Sequence, residues 1–195
     1  WAESDCPVAV KTTNYVYYIN DSNMNGLMWC SGPGLPWSSE VTRGTNPLTP
    51  LNSITALLEN LPVGGGDTVY IDTGVYPVSS SNAIVLDDRN MGTLTKPLRI
   101  YGSTNRLFGG TLLLGDTTAH GIRVQNTRHI ELNNIRITQA RDGVSVANVD
   151  TLQLHGMELI NNQDNGMAVS GGRGIRLNNC VLAQNGLYGY VSAGQ

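Results

Sequence analysis

The 195-residue sequence predicts an all-β chain wound as a parallel solenoid, and three observations lead there. Apolar positions recur at a fixed period: Ile130, Leu152 and Ile175 are 22 and 23 residues apart, and Leu132, Leu154 and Leu177 repeat the same steps. So do Ile135, Met157 and Cys180, and Ile137, Leu159 and Leu182. Within each stretch apolar residues alternate, which is the period of a strand and not of a helix. Between the strands of "IELNNIRI", "LQLHGMEL" and "IRLNNCVL" stand Asn or Gly, with Asn134, Gly156 and Asn179 at the second turn position. These are the residues that take φ > 0 at least cost. A unit of this length closes no core alone, but units stacked at the strand spacing of about 4.8 Å do.

Residues 1–48 read as an N-terminal strand followed by an irregular segment. The most strand-like stretch is "NYVYYIN", with Tyr15, Val16, Tyr17, Tyr18 and Ile19. It is either a strand of the chain's own first coil, or an assembly strand that pairs with a neighbour's open edge in a head-to-tail filament. Cys6 and Cys30 are expected to form a disulfide, which implies an oxidising compartment; two free thiols are the alternative. "NDS" at 20–22 is a glycosylation sequon on Asn20 if the host is a eukaryote. Trp1, Trp29 and Trp37 are expected in core or cap packing, with a glycan-binding cluster beside the helix as the alternative.

Residues 49–65 read as a capping helix and linker. Thr49 is the expected N-cap and Pro50 the first helical residue, and Leu51, Ile54, Leu57, Leu58 and Leu61 form an apolar face. Pro62 and the glycines at 64–66 stop the helix, which is expected to close the first coil against solvent.

Residues 66–195 read as the solenoid. Each repeat also carries a strand led by glycine, at Gly121, Gly143 and Gly166, again 22 and 23 apart. Cys180 shares a column with Ile135 and Met157, so a buried free thiol is expected there. Arg136 is expected to pair with Glu158 one coil above. This pattern resembles the right-handed parallel β-helix proteins of the pectin-lyase-like superfamily, over roughly residues 66–195. Asn134 and Asn179 match that family's asparagine ladder. "GDTVYIDTGVY" is similar to its opening coil, and "KPLRIYGSTN" with "GGTLLLG" to the strands that follow. The resemblance implies an all-β right-handed parallel β-helix with an N-terminal capping helix. It implies no single activity, because the family holds lyases, hydrolases, adhesins and tail spikes.

At the far end, "NGLYGYVSAGQ" begins another coil with Gly186 or Gly189 as its repeat glycine, and no cap follows. A chain cut from a longer polypeptide, a tolerated open end, and a covering subunit all fit. The start at Trp1, without Met, is read as the mark of a processed piece.

The net charge is −3, lysines occur only at 11 and 96, and the ten arginines are scattered, so nucleic acid is not an expected partner. No apolar stretch approaches the 18 residues of a membrane span.

The family's hydrolases use clustered aspartates with a histidine, and its lyases use acidic calcium ligands with an Arg or Lys base. Asp87, Asp88, His120 and Gly121 resemble fragments of the hydrolase signature. The flanking elements are missing, however, and a step of 33 residues puts Asp87 and His120 about one and a half coils apart. The outward residues of the glycine-led strands, Arg123, Ser145 and Ala168, make a poor ligand set. The adjoining turns bring Arg141, Asp142, Asn161, Asn162 and Asp164 onto successive coils. Asp142, Asn161 and Asp164 are the candidate calcium ligands, with Arg141 near a uronate carboxylate; the alternative is that Asp and Asn stand there because turns favour them. The leading expectation is therefore an extracellular structural or adhesive domain, self-associating through its open C-terminal end, with no cofactor. A polysaccharide lyase or hydrolase on an acidic glycan, and a non-catalytic carbohydrate-binding module, are the alternatives.

Overall fold

The computed structural model describes residues 13–38 and 43–193, which form two parallel sheets of nine and five strands. Three strands make each coil. In the first described coil they are β2 (Thr68–Ile71), β3 (Gly74–Pro77) and β4 (Ile84–Leu86). The second has β5 (Leu98–Gly102), β6 (Thr111–Leu114) and β7 (Ile122–Gln125). The third opens with β8 (Arg128–Asn133) and β9 (Ile135–Thr138) and runs into β10 (Val144–His155). Strand β10 continues unbroken into the fourth coil, which adds β11 (Glu158–Ile160) and the start of β12 (Asn165–Asn178). The rest of β12 opens the fifth, with β13 (Val181–Ala183) and β14 (Tyr188–Ala193). Before them all stands β1 (Val16–Ile19), and the one α-helix among the described residues is α1 (Ile54–Asn60).

Register explains the period. Leu152 pairs with Ile130 on one side and Ile175 on the other, and Val69, Ile100, Leu132, Leu154 and Leu177 stack in one column. That column steps by 31, 32, 22 and 23 residues, so only the later coils are tight; the earlier ones carry insertions in their turns. Inward residues of both sheets form one core containing Leu98, Leu113, Ile122, Ile130, Ile137, Leu152 and Leu159.

Left-handed backbone is not confined to one corner. Asn134, Gly156 and Asn179 have φ of 56°, 61° and 53°. Gln139, Asn161 and Gln184 make a second such column, at 55°, 55° and 56°. Asn126, Asn148 and Gly171 make a third, and His129, Thr151 and Gly174 a fourth. The side-chain ladder inside the solenoid falls elsewhere again, on Asn162 and Asn185. Asn162 Nδ2 donates to Asn185 Oδ1 at 3.0 Å, Asn162 Oδ1 accepts from Ala140 N, and Asn185 Nδ2 donates to Leu159 O. These amides satisfy backbone groups that a corner turns into the core, where an unmet partner is costly.

The repeat glycines are required by contact rather than by φ. A Cβ on Gly121, Gly143 or Gly166 would come within 2.6 Å of the carbonyl oxygen of the glycine one coil on. For Gly166 that neighbour is Gly189, which fixes the register of the final coil.

The N-terminal region is built into the solenoid. β1 pairs in parallel with β2, and its Ile19 also bridges Leu51, so the strand proposed for assembly has neighbours from its own chain on both sides. Leu51 bridges Leu35 as well and is spent on this extra layer, so the helix begins later than Thr49. Its N-cap is Ser53, whose Oγ accepts from Ala56 N at 3.1 Å. Helix residues Ile54, Thr55, Leu57 and Leu58 are buried. The segment at 28–30 is held by the fully buried Asp72, which accepts from the backbone N–H of Met28, Trp29 and Cys30 at 2.6–2.8 Å. Cys30 is a buried thiol 3.7 Å from Ile19 O, and its expected partner Cys6 lies outside the described residues. Asn20 is 0 % exposed, with its Nδ2 donating to Gly32 O, so this fold leaves no room for a glycan on its side chain. Cys180 is a free thiol only half buried, because its coil is the last one described.

Candidate functional site

The repeat places three polar residues at one corner, each directly before a repeat glycine: His120, Asp142 and Asn165. Backbone bonds lock the stack, with Gly121 N donating to Asp142 O and Gly143 N donating to Asn165 O, both at 2.9 Å. Asp142 Oδ1 accepts from Asn165 Nδ2 at 2.7 Å and Asn165 N at 3.1 Å. Asp142 Oδ2 lies 3.0 Å from His120 Nδ1, with the two side chains only 8 % and 14 % exposed. The imidazole sits at ion-pair distance but off the hydrogen-bond line, and Asn165 Oδ1 is buried without a partner. Burial works to raise the Asp142 carboxyl, but the imidazole and the Asn165 amide outweigh it and hold it below the usual carboxylate range.

His120 lines an open cleft of about 210 Å³. One wall is Ser80, Ala83, Ile84 and Val85; the other includes Thr118 and Ala119, with Arg123 and Arg141 at its sides. Strand pairing sets Arg123 opposite Val85, pointing outward because Ile122 and Val124 fill the core. Arg141 is tied to Asp164 one coil on, Nε to Oδ2 at 3.2 Å. The lining thus holds one imidazole and two guanidiniums, and no carboxylate. Its volume is below the roughly 300–1,000 Å³ of pockets that enclose a whole ligand, as suits a site gripping part of a polymer on an outer face.

The residues considered for calcium do not converge. Asp142 faces His120 and Asn165, Asp164 faces Arg141, and the Asn162 amide belongs to the internal ladder. Asn161 stands at a left-handed corner. Among the described residues no three His, Cys, Asp or Glu side chains gather as a metal site, so this arrangement does not fit a hard cation that takes six to eight oxygens.

Asp87 and Asp88 are not with His120. β4 pairs directly with β7, so the two segments are one coil apart, but at opposite ends of the strands. By the Ile84–Ile122 register Asp87 lies level with Gln125, five residues along from His120, which is roughly 16 Å. Asp87 caps the short turn at 88–90 and pairs with Arg89.

Among the described residues Trp29 and Trp37 lie apart in different packing. Trp29 packs on Tyr70 at 4.7 Å, and Tyr70 stacks between Tyr18 and Tyr101 at 5.9 and 5.6 Å, so these rings spend their faces on one another. Trp37 packs against the core, and Trp1 lies outside the described residues. Arg136 and Arg106 both reach Glu158, at 2.9 and 3.0 Å, a surface ion cluster. No helix among the described residues is long and apolar enough to cross a membrane.

No protein-family model matches the chain, and no curated protein matches it. Among solved structures it is similar to one described as pectate lyase Pel9A, at 13 % identity and a TM-score of 0.54, covering 86 % of this chain and 48 % of that one. It is also similar to a rhamnogalacturonan lyase, at 13 % identity and a TM-score of 0.48, covering 89 % of this chain and 58 % of that one. The chain therefore spans about half the length of these structures. The first likeness, with the parallel stacking, establishes the parallel β-helix fold and nothing about activity.

Proposed function

We propose that this pectin-lyase-like β-helix acts on an acidic polysaccharide outside the cell, binding it across the His120 cleft and breaking it by β-elimination. The reading is carried by one observation: Arg123 and Arg141 flank an imidazole that has a buried carboxylate behind it. Guanidinium groups take a uronate carboxylate through paired, charge-assisted hydrogen bonds. Drawing charge onto that carboxylate acidifies the hydrogen on the adjacent ring carbon and stabilises the anion formed when it leaves. Loss of that hydrogen and of the neighbouring glycosidic oxygen leaves an unsaturated uronate. Hydrolysis is disfavoured because it needs two carboxyl groups about 5–10 Å apart across the bond, and the lining offers none. The name of the pectate lyase that shares the fold supports the substrate class. The head-to-tail filament loses its donor strand, since residues 16–19 are paired within the chain.

The test is incubation with pectate, following the ultraviolet absorbance of unsaturated uronate ends. Arg123→Ala and Arg141→Ala should each weaken binding at least tenfold, the scale of a charge-assisted contact worth about 1.5–3 kcal/mol. Wild-type protein that neither binds nor cleaves pectate or other polyuronates would refute the reading.

A further inference from the structure

We infer that His120 is the proton acceptor of this cleft and that Asp142 and Asn165 are its positioning residues; this rests on the acidic-glycan reading above. The three stand at equivalent positions of successive coils, on a corner fixed by backbone bonds, so their relative placement is rigid before any ligand arrives. Asp142 has one oxygen committed to Asn165 and the other turned to His120 Nδ1. With a carboxylate on that side, the proton of the neutral ring is assigned to Nδ1, leaving the Nε2 lone pair free to accept. The angled approach at 3.0 Å is what an unliganded acid–base pair commonly shows, and it tightens when substrate is present.

A merely structural histidine would be expected to satisfy its buried nitrogen and its neighbours. Here His120 Nδ1 lacks an aligned partner and Asn165 Oδ1 has none, two unmet polar atoms in one cluster beside a cleft. Such groups in a folded core call for a compensating role. The charged groups near the ring are Asp142 from the next coil, Arg123 on the strand that follows it, and Arg141 with its partner Asp164, while Asp116 in the preceding turn accepts from Ala119 N.

The step balances without a metal. Nε2 takes the hydrogen from the carbon bearing the carboxylate, the C–H electron pair becomes the new C=C bond, and the C–O pair leaves on the glycosidic oxygen. That oxygen takes a proton from water, and the imidazolium returns its own to solvent.

The experiment uses the whole chain with pectate, measuring kcat, KM and their pH profiles. His120→Ala should lower kcat by 10²- to 10⁴-fold with KM little changed, the range for loss of a general base. Added imidazole should restore part of the rate. Asp142→Asn and Asn165→Ala should lower kcat less and shift the acidic limb of the kcat/KM profile, which a purely structural role would leave in place. His120→Gln serves if the alanine variant does not fold. Wild-type turnover in folded His120→Ala or His120→Gln overturns this inference while leaving the cleft as the glycan site. Pectate binding without turnover by the wild type overturns it together with the eliminative chemistry. Absence of binding overturns the glycan reading itself.

Discussion

Thr151 holds a φ of 66°, a conformation that is an outlier for a β-branched side chain, whereas the same corner one coil on is Gly174 with the same φ. The left-handed region costs an L-residue about 1–2 kcal/mol, and glycine loses back about 0.5–1 of that to backbone entropy. Thr151→Gly should therefore stabilise the chain by about 0.5–1 kcal/mol, read as a higher denaturant midpoint with unchanged slope; a lower midpoint would show that the Thr151 hydroxyl matters more than its backbone. Individual residues were only partly legible. The period was visible at the apolar positions and at the glycines, yet the positions just before those glycines carry His120, Asp142 and Asn165 at the same 22- and 23-residue steps. That alignment was the available signal for the site. The ladder of Asn162 and Asn185 was less visible, because a turn asparagine and a core asparagine look alike until the corner's direction is known.

Among the elements, the helix shows how local preference yields to packing. Thr49 followed by Pro50 is a good start for a helix, but Leu51 donates its N–H to Tyr18 O and accepts from Asn20 N, so the chain is still extended there. Only after that layer is complete does Ser53 cap the helix. Ser53→Ala should cost about 1 kcal/mol in chemical unfolding, and Thr49→Ala should stay within about 0.5 kcal/mol. The reverse order would place the start of the helix back at Thr49. Strands were more legible than the helix because a two-residue alternation survives any docking, while the sequence says nothing about which edge a short apolar run will cover.

At the scale of the molecule, the first coil belongs to the same core as the last. Tyr17 and Ile19 of β1 are buried in the cluster that also contains Met167 and Val169. Ile19→Ala should then cost about 2–5 kcal/mol, as for a deep interior site, seen in one cooperative transition. A separate early transition, or a cost below 1 kcal/mol, would mark the N-terminal layer as loosely attached. The overall winding was readable from the final repeats alone; the 31- and 32-residue coils were read only through the resemblance of their strands to a β-helix's opening coils, because their inserted turns erase the period that reveals the others. The repeat glycine, seated against the carbonyl of its counterpart, has a consequence for how such a molecule changes length. Residues 143–165 begin and end at equivalent points of that contact, so a tandem copy of them meets the same surface above and below. Growth by whole turns is then nearly neutral, each adding about 4.8 Å of rod; a residue added in a turn is absorbed there, as the change from a 22- to a 23-residue step shows, while one added inside a strand flips the side chains that follow it in that strand.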